Sequence, residues 1–374
     1  MGNTPAKTSN NTPRLTPEQQ QQYDWDVQRY NAKRLWVSTL PRNYAVDQCK
    51  TNDPTEVFSP KRPNTHTFSN VQVPSMFSKG FTKQEDMTEY YDNLELIQNK
   101  VKIVAAQLLN SKYCVVYSGA GISTSADLPD FRGPEGCWTK QDKGIRDDGK
   151  KTPSLTEIVP TFAHMAIAKL CELDMIKCVI TTNMDNLHLR SGVPHSKIVE
   201  MHGNSFKERC TVCQRFEYKT TEVYNTQMTK CSAVGCTGLM VDSIIDFAMP
   251  INDEDWQQSK EHSERSDLSI VLGTSMRVLP SCLLPELGPL KNGGNLVICN
   301  LQITPYDDNA TRLFCTTDEF MYFLMKELNI EVPMATPKGE PIRQRDYPVQ
   351  PKPYWKTSDQ LDPASYDIPF RFLF

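Results

Sequence analysis

Between Leu94 and Leu108, apolar residues return at helical spacing. Leu94, Ile97, Val101, Val104, Ala105 and Leu108 form one stripe, which predicts a long helix. Tyr113–Tyr117 then makes a continuous apolar run of strand length and leads straight into Gly119-Ala120-Gly121. Similar runs follow at Cys178–Thr182, Ile198–Met201, Leu268–Leu272 and Leu296–Cys299, with helical stretches at Phe162–Leu173 and Asp318–Leu328. Short apolar strands alternating with helices predict an α/β fold, a parallel sheet covered by helices on both faces. A cysteine-bearing segment, residues 206–240, breaks the alternation and reads as a small inserted module.

The two ends lack this patterning. Residues 1–85 hold a Gln19–Gln22 run and scattered prolines, and read as a largely disordered N-terminal extension. Tyr23, Val27 and Tyr30 at helical spacing suggest one short helix within it. The patterned core spans residues 86–330, with 86–205 and 241–330 flanking the inserted module. Residues 331–374 are Pro-rich and read as a flexible, extended tail ending in the apolar Phe370-Arg371-Phe372-Leu373-Phe374.

Composition narrows the field. Hydrophobic residues make up 39% and charged residues 23%, which suits a globular core. A net charge of -4 argues against coating nucleic acid through bulk charge, and direct nucleic-acid binding is left open. No stretch approaches the roughly 20 apolar residues of a membrane span, and the start of the chain lacks the apolar run of a signal peptide. Twelve cysteines without a framework of pairs point to a reducing compartment with some cysteines on metal.

Four clusters carry candidate chemistry. A strand ending in Gly119-Ala120-Gly121, with Thr124 close behind and a helix start expected after it, is a turn that can cradle a pyrophosphate; a tight structural turn is an equal reading. Asp130-Phe131-Arg132-Gly133-Pro134 adds a fixed cation for a phosphate and an aromatic that can keep water from a reactive carbon. Thr182, Asn183 and Asp185 end one strand, and His202 ends another, so all face the edge where open α/β sheets bind ligands. A lone histidine after a strand is commonly structural, but the neighbouring polar pair favours a proton-transfer role. Cys210, Cys213, Cys231 and Cys236 read as C-x2-C, seventeen residues, C-x4-C, a spacing that suits a closed tetrahedral zinc site; four unrelated buried thiols are the alternative. Gly273-Thr274-Ser275 and Asn300-Leu301-Gln302 close two later strands with small or amide groups.

Taken in this order, the motifs resemble the class IV sirtuins, NAD-consuming protein deacylases whose mammalian members include nuclear and nucleolar ones. The resemblance covers roughly residues 86–330 and is carried most specifically by Asp130–Thr139, Leu187–Pro194 and Asn300–Pro305. It implies a Rossmann-like sheet with an inserted zinc ribbon, NAD as a consumed co-substrate and one structural zinc. It implies NAD contacts from Gly119, Ala120, Gly121, Thr124, Asp130, Phe131, Arg132, Trp138 and Thr182. Asn183 and Asp185 would form the nicotinamide-ribose pocket, and His202 would act as general base. Gly273, Thr274, Ser275, Asn300, Leu301, Gln302 and Thr317 would hold the adenosine half. Acyl-lysine proteins, with histones and other chromatin proteins as candidates, would be the partners, in the nucleus.

Two residues depart from the family pattern: Thr182 replaces its Gln and Asn186 its Gly. Phe247-Ala248-Met249 replaces Phe-Gly-Glu. Three functions therefore stay open: protein deacylation, mono-ADP-ribosyl transfer from the same site, and a scaffold whose site has decayed. An ordinary dehydrogenase is disfavoured, because the third glycine and the acidic ribose partner are missing.

Overall fold

The computed structural model describes residues 87–145, 154–223, 228–245, 251–278, 280–343 and 345–361. The N-terminal extension, Phe247-Ala248-Met249 and the apolar end of the tail lie outside them. The chain runs β1 (Tyr90–Tyr91), α1 (Leu94–Asn110), β2 (Cys114–Ser118), α2 (Cys137–Asp142), α3 (Phe162–Glu172), β3 (Ile176–Thr181), α4 (Leu187–Ser191) and β4 (Ile198–Glu200). It continues through β5 (Lys207–Cys210), β6 (Phe216–Tyr218), β7 (Thr229–Lys230) and β8 (Leu239–Asp242). It then returns as α5 (Asp253–Arg265), β9 (Leu268–Leu272), α6 (Leu284–Asn292), β10 (Asn295–Cys299), β11 (Thr311–Leu313), α7 (Thr317–Glu327) and β12 (Lys356–Thr357).

Six strands form one parallel sheet in the order β11-β10-β9-β2-β3-β4. Successive residues alternate between two apolar layers. Val116, Val179, Ile270 and Val297 face the layer beneath α1, α3 and α7, while Val115, Ile180, Val271 and Ile298 face the opposite one. Both faces are covered, which is why the strands read as unbroken apolar runs. From β2 the chain winds one way to β3 and β4; from β9 it winds the other way to β10 and β11. The crevice between β2 and β9 is thus the switch point where doubly wound sheets bind ligands.

The helices start at side-chain caps. The Asn93 side chain accepts from the Leu96 amide at 2.9 Å ahead of α1, and Thr316 accepts from Glu319 at 3.2 Å ahead of α7. Thr161 and His164 form a reciprocal capping box ahead of α3.

The cysteine-bearing segment forms a separate four-stranded antiparallel sheet, β6-β5-β8-β7. Residues 331–361 depart from the flexible tail expected of their prolines. They lie against the core: Trp355 stacks on Tyr91 at 5.3 Å, Tyr347 stacks on Tyr322 at 4.7 Å, and β12 pairs in parallel with β1. Widely spaced aromatics dock this segment without any helical or strand period, so the sequence pattern could not signal it. Among the described residues no helix is long and apolar enough to cross a membrane.

Candidate functional site

The ends of β2 and β9 meet through glycines. The Gly121 amide donates to the Gly273 carbonyl at 2.8 Å, and a Cβ on Gly121 would stand 2.8 Å from the Gly273 Cα. Gly273 itself has φ +61, a left-handed backbone that glycine adopts without strain. The helix start expected after Gly121 is replaced by two 3₁₀ turns, Ala120–Ile122 and Thr124–Ala126. These glycines therefore serve a close backbone crossing at the switch point, and no α-helix N-terminus is aimed from this turn. Thr124 turns its hydroxyl back to the Gly121 carbonyl at 3.0 Å.

The polar residues after β3 are tied to that turn. The Asn183 side-chain amide donates to the Gly119 carbonyl at 3.0 Å, and Thr182 donates its hydroxyl to the Ser118 carbonyl at 3.3 Å. Asp185 is buried and accepts from the Ser123 hydroxyl at 2.6 Å and the Leu187 amide at 3.0 Å, so both carboxylate oxygens are oriented. Ser123 lies within the glycine motif, but nothing in the sequence marks it as the partner of Asp185.

His202 follows β4 and is half-buried. Loss of water around it lowers its pKa to about 4; a hydrogen bond to the Thr182 backbone opposes this, and the charge of Arg132 adds to it. The imidazole is neutral at pH 7 and able to accept a proton. His164 and His188, by contrast, are buried with rings 4.7 Å apart and are held by Thr161 and Ser118 at 2.8 Å each. They are structural.

Arg132 is 8% exposed, stacks over Trp138 at 4.4 Å and has Phe131 packed on the same indole at 4.9 Å. Its Nε and Nη2 find no hydrogen-bond partner among the described residues. Burial, helped by the nearby charge of Arg277 and opposed by Asp130, brings its pKa down to about 9. A buried cation with idle donors is suited to an anionic group such as a pyrophosphate. Asp130 shapes the loop by accepting from the Gly133 amide at 3.0 Å.

The loop after β10 completes the rim. Gln302 donates to the Arg132 carbonyl at 3.3 Å, and Asn300 donates to the Gln302 carbonyl at 2.8 Å. Arg312 grips the Asn300 and Gln302 carbonyls at 2.7 and 2.6 Å. Its signal, an Arg inside a three-residue edge strand, is weak. Thr274 accepts from the Met276 amide at 3.3 Å and Ser275 is half-buried beside it. Leu301 packs on the main core, and Thr317 is buried at the start of α7.

The cysteine quartet lies apart from this rim. The four sulfurs lie within 4.8 Å of one another, with Cys210–Cys236 at 3.5 Å and Cys213–Cys231 at 3.6 Å. Tetrahedral zinc with bonds of about 2.3 Å requires sulfurs about 3.8 Å apart, so the cage fits the ion. Amides of Val212, Cys213, Ala233 and Gly238 donate to the sulfurs of Cys210, Cys231 and Cys236 at 3.4–3.5 Å.

A doubly wound sheet with polar groups gathered at its switch point, carrying a separate four-cysteine cluster that could hold a metal ion, has the architecture of the α/β proteins that bind nucleotides. Comparison with known proteins makes this specific. The Sir2 family profile matches residues 147–280. The chain is 35% identical over 269 residues to the NAD-dependent protein deacetylase Sirt6 of Drosophila melanogaster, covering 68% of this chain and 84% of that one. It is 40% identical over 253 residues to the NAD-dependent protein deacetylase SRT1 of Oryza sativa subsp. indica, covering 66% of this chain and 52% of the relative. It is also similar to a solved histidine-to-alanine Sir2 variant described with deacetylated p53 peptide and 3′-O-acetyl ADP-ribose. That likeness has a TM-score of 0.51 at 31% identity and covers 62% of this chain and all of that one, 100%. The chain belongs to the Sir2 family. It spans about half the length of the plant relatives it matches, 52% and 54%.

Proposed function

We propose that this chain is an NAD-dependent protein-lysine deacylase that passes the acyl group to ADP-ribose and releases nicotinamide. The observation that carries this reading is a neutral, half-buried His202 on the same sheet edge as Asn183 and Asp185, beside a buried Arg132 with idle donors. The names of the Sir2 relatives support it.

When bound, NAD supplies a ribose carbon from which nicotinamide departs and which takes the acyl oxygen. Arg132, with Phe131 and Trp138 packed around it, would hold the pyrophosphate. Asp185, fixed by Ser123 and Leu187, has lone pairs left to accept from a carboxamide, and Asn183 is set beside it by Gly119. The imidazole of His202 would take the proton of a ribose hydroxyl. Gly119, Ala120, Gly121, Thr124, Asp130 and Thr182 would line the same crevice, and Gly273, Thr274, Ser275, Asn300, Leu301, Gln302 and Thr317 the adenosine half. Cys210, Cys213, Cys231 and Cys236 would hold zinc in a closed, non-catalytic site. Histones or other chromatin proteins as substrates, and a nuclear location, belong to the same proposal through the sirtuin resemblance.

The test incubates the protein with NAD and a mixed acyl-lysine peptide library, followed by mass spectrometry. Nicotinamide, deacylated peptide and O-acyl-ADP-ribose should rise together, and His202→Ala should lose about 10²–10⁴-fold. ADP-ribosylated protein without peptide deacylation would replace the proposal by transfer, and a silent wild type would leave only a scaffold.

A further inference from the structure

Asn186, which stands where the family has glycine, sits with φ +65 immediately before α4. Asparagine is among the few residues with a side chain that enter this left-handed region readily. The substitution thus keeps the backbone and adds a side chain. Its Oδ1 accepts from the Asn204 side-chain amide at 2.8 Å. Asn204 is fully buried and acts as a hub: the same nitrogen donates to Glu200 Oε1, and its own Oδ1 accepts from the Phe206 amide at 2.8 Å. Ser243 accepts from the Asn204 amide at 3.1 Å and donates to its carbonyl at 3.2 Å. Glu200 in turn takes the Tyr218 hydroxyl at 3.1 Å and stands 3.6 Å from the Lys207 ammonium, both from the zinc module. Nearby, the Ser205 amide donates to the Met184 carbonyl at 2.9 Å.

We infer that Asn186 is a positioning residue that ties the Asn183–Asp185 loop to the His202 turn through Asn204. Its side-chain oxygen is taken up by Asn204, and it acts by fixing two sets of reacting side chains relative to each other. This inference rests on the deacylase reading for its effect on turnover, but not for its effect on the two loops.

Asn186→Gly tests it, because glycine keeps the left-handed backbone and deletes only the side chain. Hydrogen exchange should quicken at amides of residues 183–187 and of residues 202–206, while the melting temperature stays near that of the wild type. Nicotinamide release should fall in kcat by about 2- to 12-fold, the equivalent of one net hydrogen bond. Affinity for ADP, a probe of the adenosine half, should not move. Unchanged exchange in either loop would overturn the inference whether or not the protein is an enzyme. An active wild type with an unaltered kcat in Asn186→Gly would overturn its catalytic consequence. A wild type that releases no nicotinamide, with exchange altered as expected, would overturn the deacylase reading alone.

Discussion

Replacing Arg132 by Met should make the ligand-free protein more stable and its nucleotide binding worse. The guanidinium is 8% exposed, and its Nε and Nη2 have no hydrogen-bond partner among the described residues. Its pKa falls to about 9, so the folded state binds this proton less tightly than the unfolded chain does. At pH 7 the charge is therefore kept at a cost to folding, and the cost fades only above pH 9. That lowering corresponds to an upper bound on the order of 5 kcal/mol. Stacking on Trp138 returns about 0.5–2 kcal/mol, and methionine fills much of the same volume. A net gain of about 1–3 kcal/mol is expected, or roughly 2–12 °C in melting temperature for a core of this size. The assay is thermal unfolding of wild type and Arg132→Met, with and without saturating NAD. The variant should melt higher alone and lose most of the NAD-induced rise. A variant that melts lower without ligand would refute the account of a strained, ligand-seeking cation, and an intact NAD shift would refute its role in binding.

Metal analysis should find about one zinc per chain, and Cys210→Ala should lose it and loosen residues 206–240 as read by hydrogen exchange; a folded, metal-free wild type would contradict this. His164 and His188, each held by burial at a pKa of about 3, below the ordinary 6.5, make stability fall as pH drops below 6.5, because the unfolded chain takes up protons first. Between pH 7.5 and 5, urea unfolding should show the wild type losing about 2 kcal/mol more than His188→Asn, and equal losses would count against the pair.

The main sheet was legible because its strands are buried on both sides. Leu268–Leu272 matches the expected run residue for residue, and the buried stripe of α1 is the one read from the chain except for its first residue, Leu94, which is exposed. What escaped the pattern has physical reasons. Helix α5 buries Ser259 and Ser263 against the sheet, so small hydroxyls replace the apolar stripe that announces a helix. Strand β11 is a three-residue edge with Arg312 at its middle. The glycine motif was visible, but its meaning was not: the contact that forbids a side chain at Gly121 comes from Gly273, over 150 positions away, and no local pattern reports it. Asn183, Asp185 and His202 stood out as polar residues at strand ends. Ser123, which orients Asp185, is an ordinary serine until the two loops are seen together.

The pairing of β1 with β12 also has a kinetic meaning. Tyr90 and Lys356 meet across the whole length of the core, and the Trp355 indole donates to Glu89 over a separation of 266 residues. Closing so long a loop early would cost more chain entropy than the two-residue strand returns, so this contact forms after the sheet has condensed. Contacts made late act mainly on the rate of unfolding and little on the rate of folding. The segment from 331 to 361 therefore works as a clasp: it scarcely hastens assembly, yet it lengthens the time for which the assembled core persists.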